Sequence, residues 1–295
     1  MNSTTRRKRG LRAFIWPAVL VYTLLFVVPA VYGAGISFFD WRGLGTEATF
    51  KGFANYVFIL TDDAFRQSFV NTIVLAVTGG LLVFLIAFCC MAVLREMKGR
   101  GFIRSVVYLP NIISPIAIGA ALSFALDSRG ALNQVLSFIG LPPQPWLGPD
   151  LVFRCIIAGL AWSAAGFYVI LLMSAVDGIP HDLYEAASLE GVTKMQAFRM
   201  ITIPLSWDVF ATCAVLWVIG SLKVFEIVLA FTGSANSGVP ITARTVAIQQ
   251  YMAFNDASGL PRLGVVSAIG VVMFLLSLVL VWLTRRLTKR ESLEL

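Results

Sequence analysis

Charge is scarce in this sequence. Charged residues make up 13% of its 295 residues, against 58% hydrophobic residues and a mean hydropathy of +0.82. A soluble globular domain carries about 25% charged residues, because it has to cover its surface with polar groups. The composition therefore excludes a soluble domain and indicates an integral membrane protein.

Histidine and the phosphate-binding dipeptide Gly-Lys are equally scarce. Histidine occurs once, at His181, and Gly-Lys does not occur. A single histidine excludes an HExxH metal site and argues against a histidine-based catalytic triad, and without Gly-Lys there is no Walker A cradle for phosphates. We therefore expect no catalytic residue, no cofactor or metal bound by this chain, and no ATP hydrolysis by it.

Cysteine occurs four times, without the CxxC or Cys/His spacing of a disulfide framework or zinc site. All four residues fall in apolar stretches, at Cys89, Cys90, Cys155 and Cys213. Free buried cysteine behaves as a small hydrophobic residue. We interpret them as packing residues.

Long apolar runs are what the sequence does contain. Six runs approach or exceed the roughly 20 residues that cross about 30 Å of hydrocarbon as a helix; they are residues 13–38, 69–94, 103–126, 151–176, 209–231 and 263–283. We predict an all-α membrane protein with six transmembrane helices in one membrane domain, residues 13–284.

The net charge of +7 could suggest a nucleic-acid partner, but the basic residues gather at alternate membrane ends. One side holds Arg6, Arg7, Lys8, Arg9, Arg12, Arg95, Lys98, Arg100, Arg104, Lys194, Arg199, Arg285, Arg286, Lys289 and Arg290, and the other holds only Arg42, Lys51, Arg66, Arg129, Arg154, Arg244 and Arg262. The positive-inside rule then predicts a basic cytoplasmic N-terminus at 1–12, a cytoplasmic tail at 285–295, and no nucleic-acid partner. The first run is too long for a cleaved signal peptide, so we expect it to remain as the first helix.

A polar loop at 177–208, between the fourth and fifth runs, stands out in this apolar chain. Pro180 and Asp182 suit the start of a helix that we expect over about 183–189, and Gly191 permits a sharp bend after it. A second, amphipathic segment follows at 193–201, and Pro204 is expected to separate it from the next membrane helix. By composition alone this could be an ordinary interfacial hairpin lying on the membrane.

The order of residues favours a more specific interpretation. Glu-Ala-Ala at 185–187, Gly191 and Ile-Thr-Ile-Pro-Leu at 201–205 resemble the EAA loop of ATP-binding-cassette (ABC) import permeases. The resemblance covers nearly the whole chain and is closest to the carbohydrate (maltose/glycerol-phosphate-type) branch. Further matching residues are Asn71-Thr72, Arg104, Leu109-Pro110, Ile113-Ser114, Gly130, Asn133, Trp146-Leu147, Trp162, Ile179-Pro180, Leu183-Tyr184 and Lys223-Val224-Phe225-Glu226 leading to Thr232-Gly233. Two departures are Glu190-Gly191-Val192 for the usual Asp-Gly-Ala, and Gly233-Ser234-Ala235 for a Gly-Gly-Pro turn.

The resemblance implies a permease subunit of an importer in the bacterial or archaeal cytoplasmic (inner) membrane. It implies a second permease subunit, usually a different chain, two cytoplasmic ATPase subunits that use ATP and Mg²⁺, and an extracytoplasmic solute-binding protein that delivers a sugar or oligosaccharide. The residues implied in ATPase coupling are Glu185, Ala186, Ala187, Gly191 and Pro204.

By position, the resemblance also implies a substrate pathway along the fourth and fifth helices. The matching residues are Ser163, Ala164, Phe167, Trp217, Gly220, Ser221 and Val224. Aromatic rings and hydroxyls suit a sugar, but Ala164, Gly220 and Val224 offer little polar recognition. The chain could contribute a weak half-site or merely a wall, since aromatic residues in membrane helices commonly serve packing.

Lys223 and Glu226 form an ionisable pair well inside a predicted membrane segment. Three residues apart, they would share a helix face. They could line a cavity or contact the partner permease, or form a mutual structural pair, which an intramembrane charge needs unless it faces water.

Other classes of function explain less of the sequence. A secondary active transporter should show inverted repeats and several intramembrane acids, of which only Glu226 qualifies. A membrane anchor needs no specific loop at 184–205. Within the import class, a permease for glycerol phosphate or another small polar solute is the alternative.

Overall fold

The computed structural model describes residues 15–43, 45–94, 97, 99–232, 239–256 and 260–289. Several predicted basic residues lie outside this part of the chain, as does the departure at 233–235; the residues are Arg6, Arg7, Lys8, Arg9, Arg12, Arg95, Lys98 and Arg290. The described residues divide into two compact units, one within residues 1–62 and 250–274 and the other within 63–249 and 275–295.

The helices and two short strands follow one another along the chain. In order they are α1 Ile15–Ile36, β1 Phe39–Asp40, β2 Thr49–Phe50, α2 Ala54–Thr61, α3 Asp63–Leu94, α4 Arg100–Ile112, α5 Pro115–Leu126, α6 Ala131–Phe138, α7 Val152–Asp177, α8 His181–Leu189, α9 Lys194–Leu205, α10 Trp207–Leu222, α11 Glu226–Phe231, α12 Val246–Phe254 and α13 Leu263–Thr288.

Four of these helices are long and apolar enough to cross a membrane by themselves: α1, α3, α7 and α13. Two further spans arise only if a bent pair is counted as one. Arg100–Ile112 and Pro115–Phe138 meet at 92°, and α9 meets α10 at 67°. The chain is therefore a helical membrane protein with four to six candidate spans among its described residues.

The predicted third run, 103–126, is not one helix. It is broken between α4 and α5, where Ile113 and Ser114 are extended with ψ of 141° and 134°. The physical reason is Pro115, whose ring disfavours helical backbone at the preceding residue. The fifth run, 209–231, is also broken, because α10 ends at Leu222 and α11 begins at Glu226.

In the first unit, the β-hairpin pairs Phe39 with Phe50 and Asp40 with Thr49. Asn55 on α2 anchors it, since its Nδ2 donates to the carbonyl oxygens of Ser37 and Phe39 at 2.8 and 2.9 Å. These bonds satisfy backbone groups where α1 gives way to β1.

The second unit has its hydrophobic core between α3, α7 and α10. The buried residues of this core are Val83, Ala87, Met91, Leu94, Ala161, Tyr168, Val169, Leu172, Met173, Val176, Cys213 and Trp217. Buried Cys213 fits the packing interpretation, whereas Cys89 is exposed and Cys90 and Cys155 are half-buried.

Two glycines permit close helix contacts in this unit. A Cβ at Gly166 of α7 would overlap the backbone of Val107 in α4, and a Cβ at Gly119 of α5 would lie 2.7 Å from Ala230 Cβ in α11. Small residues at such crossings let helix backbones approach closely, which is how membrane helices pack without a hydrophobic driving force. The segments that follow the two breaks, α5 and α11, therefore pack against each other.

Candidate functional site

The loop between α7 and α10 carries a short helix, α8, with defined ends. Pro180 precedes its first turn, and Asp182 lies in that turn, where a carboxylate is favourable. At the other end Gly191 has φ of +75°. The Val192 N–H donates to the Ala187 carbonyl at 3.0 Å and the Gly191 N–H to that of Ser188 at 3.1 Å.

These two hydrogen bonds define a Schellman motif, which satisfies carbonyl groups at a helix end and usually requires glycine at the left-handed position. The predicted bend at Gly191 is therefore present in the structure. It terminates α8 by backbone bonds alone and leaves the side chains of the helix uncommitted to that task.

No residue of α8 is buried. Glu185 and Ala186 are exposed and Ala187 is half-exposed. Glu185 Oε1 lies 3.0 Å from His181 Nδ1, one turn earlier. Of the predicted coupling residues, Glu185, Ala186 and Ala187 lie on α8, Gly191 follows its end, and Pro204 lies in α9. The helix α8 starts slightly earlier than predicted, at His181.

The exposure of Leu189 and the bonding partner of Tyr184 are features that the sequence did not predict. Leu189, the last residue of α8, has 88% of its surface exposed. Tyr184 faces inward, and its Oη lies 3.0 Å from Oγ1 of Thr202, a fully buried residue of α9. No local sequence pattern predicts this hydrogen bond, because its partners are 18 residues apart. It ties α8 to the helix that follows.

The sequence predicted that Pro204 separates the amphipathic segment from the next membrane helix, but Pro204 lies inside α9. Thr193 and Gln196 form a capping box that starts α9. A π-helical turn at Phe198–Thr202 follows, and Pro204 lies at the start of the last turn, Ile203–Leu205. Proline is tolerated in the first turn of a helical segment, so the break falls at Ser206 instead.

A cavity of ≈ 870 Å³ lies beside α8. It is lined by the end of α7, the connection 178–180 and the first turns of α8, with Arg100 of α4 at its edge. Tyr184, Glu185 and Ser188 supply polar groups to it. The concave surface next to an exposed helix suits a protein partner more than a small apolar ligand.

Trp217, a predicted pathway residue, lies in the core. It is 5% exposed, and its Nε1 donates to the Ala76 carbonyl at 2.7 Å. Its ring occupies the space that glycine leaves in α3, since a Cβ at Gly80 would lie 2.5 Å from Nε1. The π-helical turn Leu75–Gly79 contains the accepting carbonyl. In this conformation Trp217 serves packing.

The other predicted pathway residues are distributed between core and surface. The hydroxyls of Ser163 and Ser221 donate to carbonyls of their own helices, Leu160 at 3.0 Å and Val218 at 2.9 Å. Both serines are buried. Ala164 and Phe167 are half-buried and pack against the same core as Trp217.

Gly220 alone among the predicted pathway residues is exposed, and Val224 is half-buried. The Val224 carbonyl accepts from Thr245 Oγ1 at 2.9 Å, which satisfies a backbone group at the break between α10 and α11. The structure thus groups Ala164, Phe167 and Trp217 in one cluster but does not bring all seven residues to a common pocket surface. Direct contact with a solute stays a prediction.

Lys223 and Glu226 do not share a helix face. Lys223 follows the end of α10 and Glu226 begins α11, with two non-helical residues between them. Both side chains are exposed, and no ion pair joins them among the described residues. The prediction of a mutual pair on one helix is wrong because the helix is interrupted there.

Several residues of the sequence pattern have structural roles. Asn71 Nδ2 donates to the carbonyls of Ile241 and Arg244, at 3.1 and 2.9 Å. Asn133 Oδ1 accepts from the backbone N–H of Gln144 at 2.9 Å and from Trp146 Nε1 at 3.0 Å. These side chains fix loops that have few regular backbone bonds. No group of potential metal ligands occurs in the part of the chain that the structure describes.

The fold is similar to that of solved ABC importers. A chain in the crystal structure of a bacterial ABC transporter involved in the import of the acidic polysaccharide alginate superposes with a TM-score of 0.83 at 24% identity, covering 97% of each chain. The chain therefore has the fold of a chain of that transporter.

Comparison of sequences identifies the family. The model of the binding-protein-dependent transport system inner membrane component matches residues 85–292. The chain belongs to this family.

Two relatives illustrate the extent of the similarity. The trehalose/maltose transport system permease protein MalF of Thermococcus litoralis is 29% identical over 269 residues, covering 88% of this chain and 87% of the relative. The probable ABC transporter permease protein YurN of Bacillus subtilis is 31% identical over 281 residues, covering 90% and 91%.

Proposed function

We propose that this chain forms half of the translocation pathway of an ATP-driven importer for a sugar or oligosaccharide. The observation that carries the proposal is α8, an exposed helix with no buried residue, ended by Gly191, in the polar loop 177–208 of a chain of this family. Such a helix is built for contact with a protein partner.

In this proposal α8 is the coupling helix that docks in the cytoplasmic ATPase. Glu185 pairs with a basic residue of the ATPase, Ala186 and Ala187 allow close approach, and Gly191 sets the bend. ATP and Mg²⁺ belong to the ATPase. Binding of ATP to one state of the complex then shifts the permease between a conformation open to one side of the membrane and a conformation open to the other. It does so because a ligand favours the conformation that it binds more tightly.

The topology proposed is six transmembrane helices with both termini in the cytoplasm. It counts each bent pair, α4–α6 and α9–α10, as one span beside α1, α3, α7 and α13. An even number of spans returns the chain to its starting side. The Lys/Arg distribution supports the orientation, which puts α8 on the cytoplasmic side.

The proposed partners are a second permease subunit, two ATPase subunits and an extracytoplasmic binding protein, in the inner membrane. The family description names a binding-protein-dependent system, which supports the last of these. The relative named for trehalose and maltose supports a glycoside as solute. Glycerol phosphate or another small polar solute is the alternative.

The test is co-expression of this chain with the ATPase, second permease and binding protein encoded beside it. We expect the ATPase to co-purify, and its ATP hydrolysis to be stimulated by the binding protein with one of trehalose, maltose or an alginate oligosaccharide. Stimulation by glycerol phosphate and by no glycoside would move the proposal to the alternative solute. Absence of any ATPase in the purified complex would overturn the coupling role of α8.

A further inference from the structure

Three charged residues converge at the end of α7 that leads into α8. Arg104 of α4 makes a two-pronged contact with Asp177, the last residue of α7, with Nη1–Oδ2 at 2.6 Å and Nη2–Oδ1 at 3.1 Å. Arg100 Nη1 lies 3.2 Å from Asp177 Oδ1. Planar guanidinium and carboxylate groups in this arrangement fix orientation as well as distance. The contact joins residues that are 73 positions apart.

Asp177 occupies a position that its own helix disfavours. It ends a helix of 26 residues, where the helix dipole presents partial negative charge and a carboxylate is repelled. The two arginines offset that repulsion. Since only 19% of the Arg104 side chain is exposed, the pair is shielded from solvent more than an ordinary surface pair. The energetics of α7 alone therefore do not explain why an aspartate occupies its C-terminal end, but the contact with the two arginines does.

The contact lies on a short route from α8 to the bent helices. Only Gly178, Ile179 and Pro180 separate Asp177 from α8. Arg104 belongs to α4, which packs on α7 at Gly166 and continues after its bend into α5. In turn, α5 packs on α11 at Gly119.

We propose that Asp177 and Arg104 form a strut that transmits displacement of α8 to α4 and α5. Arg104 is thus a positioning residue for coupling, and this inference rests on the proposed docking of the ATPase at α8.

The experiment measures whether α8 and α5 move as one body. Nitroxide labels are attached to cysteines at Asp182 of α8 and Ser114 at the bend, both exposed, after the four native cysteines are replaced. Distances are recorded by pulsed electron paramagnetic resonance in the purified complex, with and without ATP, Mg²⁺ and vanadate. The nucleotide alone is the probe, so the solute need not be known.

We expect the wild-type distance to be the same in both states, because the strut holds the two sites together. In Arg104→Gln the nucleotide should shift or broaden the distance, while co-purified ATPase and its hydrolysis rate stay at the wild-type level. Asp177→Asn should give at least the same effect, because it also removes the Arg100 contact. The double variant should give no more than Asp177→Asn alone, since the Arg104 contact is already lost in that variant. Arg104→Lys, which keeps the charge but loses the two-pronged geometry, should fall between.

The matched control is Arg66→Gln, which removes an exposed Arg–Asp pair at 3.6 Å elsewhere in the same unit and should leave the distance unchanged. A wild-type distance that changes with nucleotide, or an Arg104→Gln distance that behaves as wild type, overturns the strut. Loss of the ATPase from the wild-type complex is a different result, because it removes the proposed function of α8 itself. If Arg104→Gln fails to accumulate, Arg104→Lys still gives the decisive comparison.

Discussion

Two short helices of this protein, α6 and α8, have the same backbone structure at their C-terminal ends but differ in the contacts that their side chains make. In α6 and α8 alike, a glycine follows the helix with φ near +80°, +79° at Gly140 and +75° at Gly191. Both ends make the same pair of backbone bonds; in α6 these are Leu141 N–H to the Leu136 carbonyl at 2.9 Å and Gly140 N–H to that of Ser137 at 3.1 Å. The backbone at the two helix ends is therefore closely similar.

The side chains distinguish them. Buried Asn133 of α6 bonds to both sides of its loop, at Asp127, Gln144 and Trp146. No residue of α8 is buried, and its Glu185 and Ala186 are exposed. The helix α6 uses a buried polar side chain to fix its own loop, whereas α8 is held by the bond from Tyr184 to Thr202 and keeps Asp182 and Glu185 exposed. The comparison predicts that changes in α6 affect stability, and that changes in α8 affect assembly.

The largest expected effect is on stability, from Asn133→Ala. The change leaves the Gln144 N–H, Trp146 Nε1 and at least one carbonyl without their partner, and each unsatisfied buried group costs about 1–3 kcal/mol. We expect a loss of about 3 kcal/mol or more, seen as a lower thermal midpoint of the purified permease. Gln134→Ala, on the exposed side of the same helix, should stay within about 0.5 kcal/mol of wild type. Equal midpoints for both variants would show that Asn133 does not hold the loop.

The contrast between these helices shows what sequence can predict and what it cannot. Apolar runs predicted α1, α3, α7 and α13 to within several residues, because hydropathy over about 20 residues is a strong signal. The small residues and Gly191 predicted a short exposed helix at α8, since glycine after a helix is itself a stop signal.

Long-range contacts were beyond prediction from local pattern. Trp217 was a candidate for solute contact, but its partner Ala76 lies 141 residues away. At the break near Lys223, the freed Val224 carbonyl accepts a hydrogen bond from Thr245, 21 residues away. By contrast, the break at Ser114 was readable, because Pro115 follows it. Local chemistry at helix ends could be predicted from the sequence, and partners across the fold could not.

The second effect is on assembly, from Glu185→Lys combined with Ala187→Trp. A reversed charge leaves its partner unpaired at the interface, which costs a few kcal/mol, and a bulky ring prevents close approach. We expect at least a tenfold loss of co-purified ATPase, with the thermal midpoint unchanged because neither side chain is buried. The matched control is Gln134→Lys with Ser137→Trp in α6, which should retain the ATPase. Normal ATPase recovery and uptake in the α8 variant would contradict the docking role.

The smallest expected effect comes from replacing the glycine that follows each of these two helices. Gly191→Ala meets no atom within 4 Å of the new Cβ, and neither does Gly140→Ala, so both substitutions impose only the strain of left-handed backbone. That strain is about 1–2 kcal/mol for a residue with a Cβ. Stability should fall alike in both variants. Retention of the ATPase should fall only in Gly191→Ala, by about 5-fold to 30-fold if the strain is relieved by fraying the end of α8. Gly191→Asn should recover most of the loss, because asparagine tolerates this backbone.

The measurement is ATPase recovered per permease, alongside the thermal midpoint of each variant. Equal ATPase retention in the two alanine variants would mean that the end of α8, although built like that of α6, is not what the partner recognises.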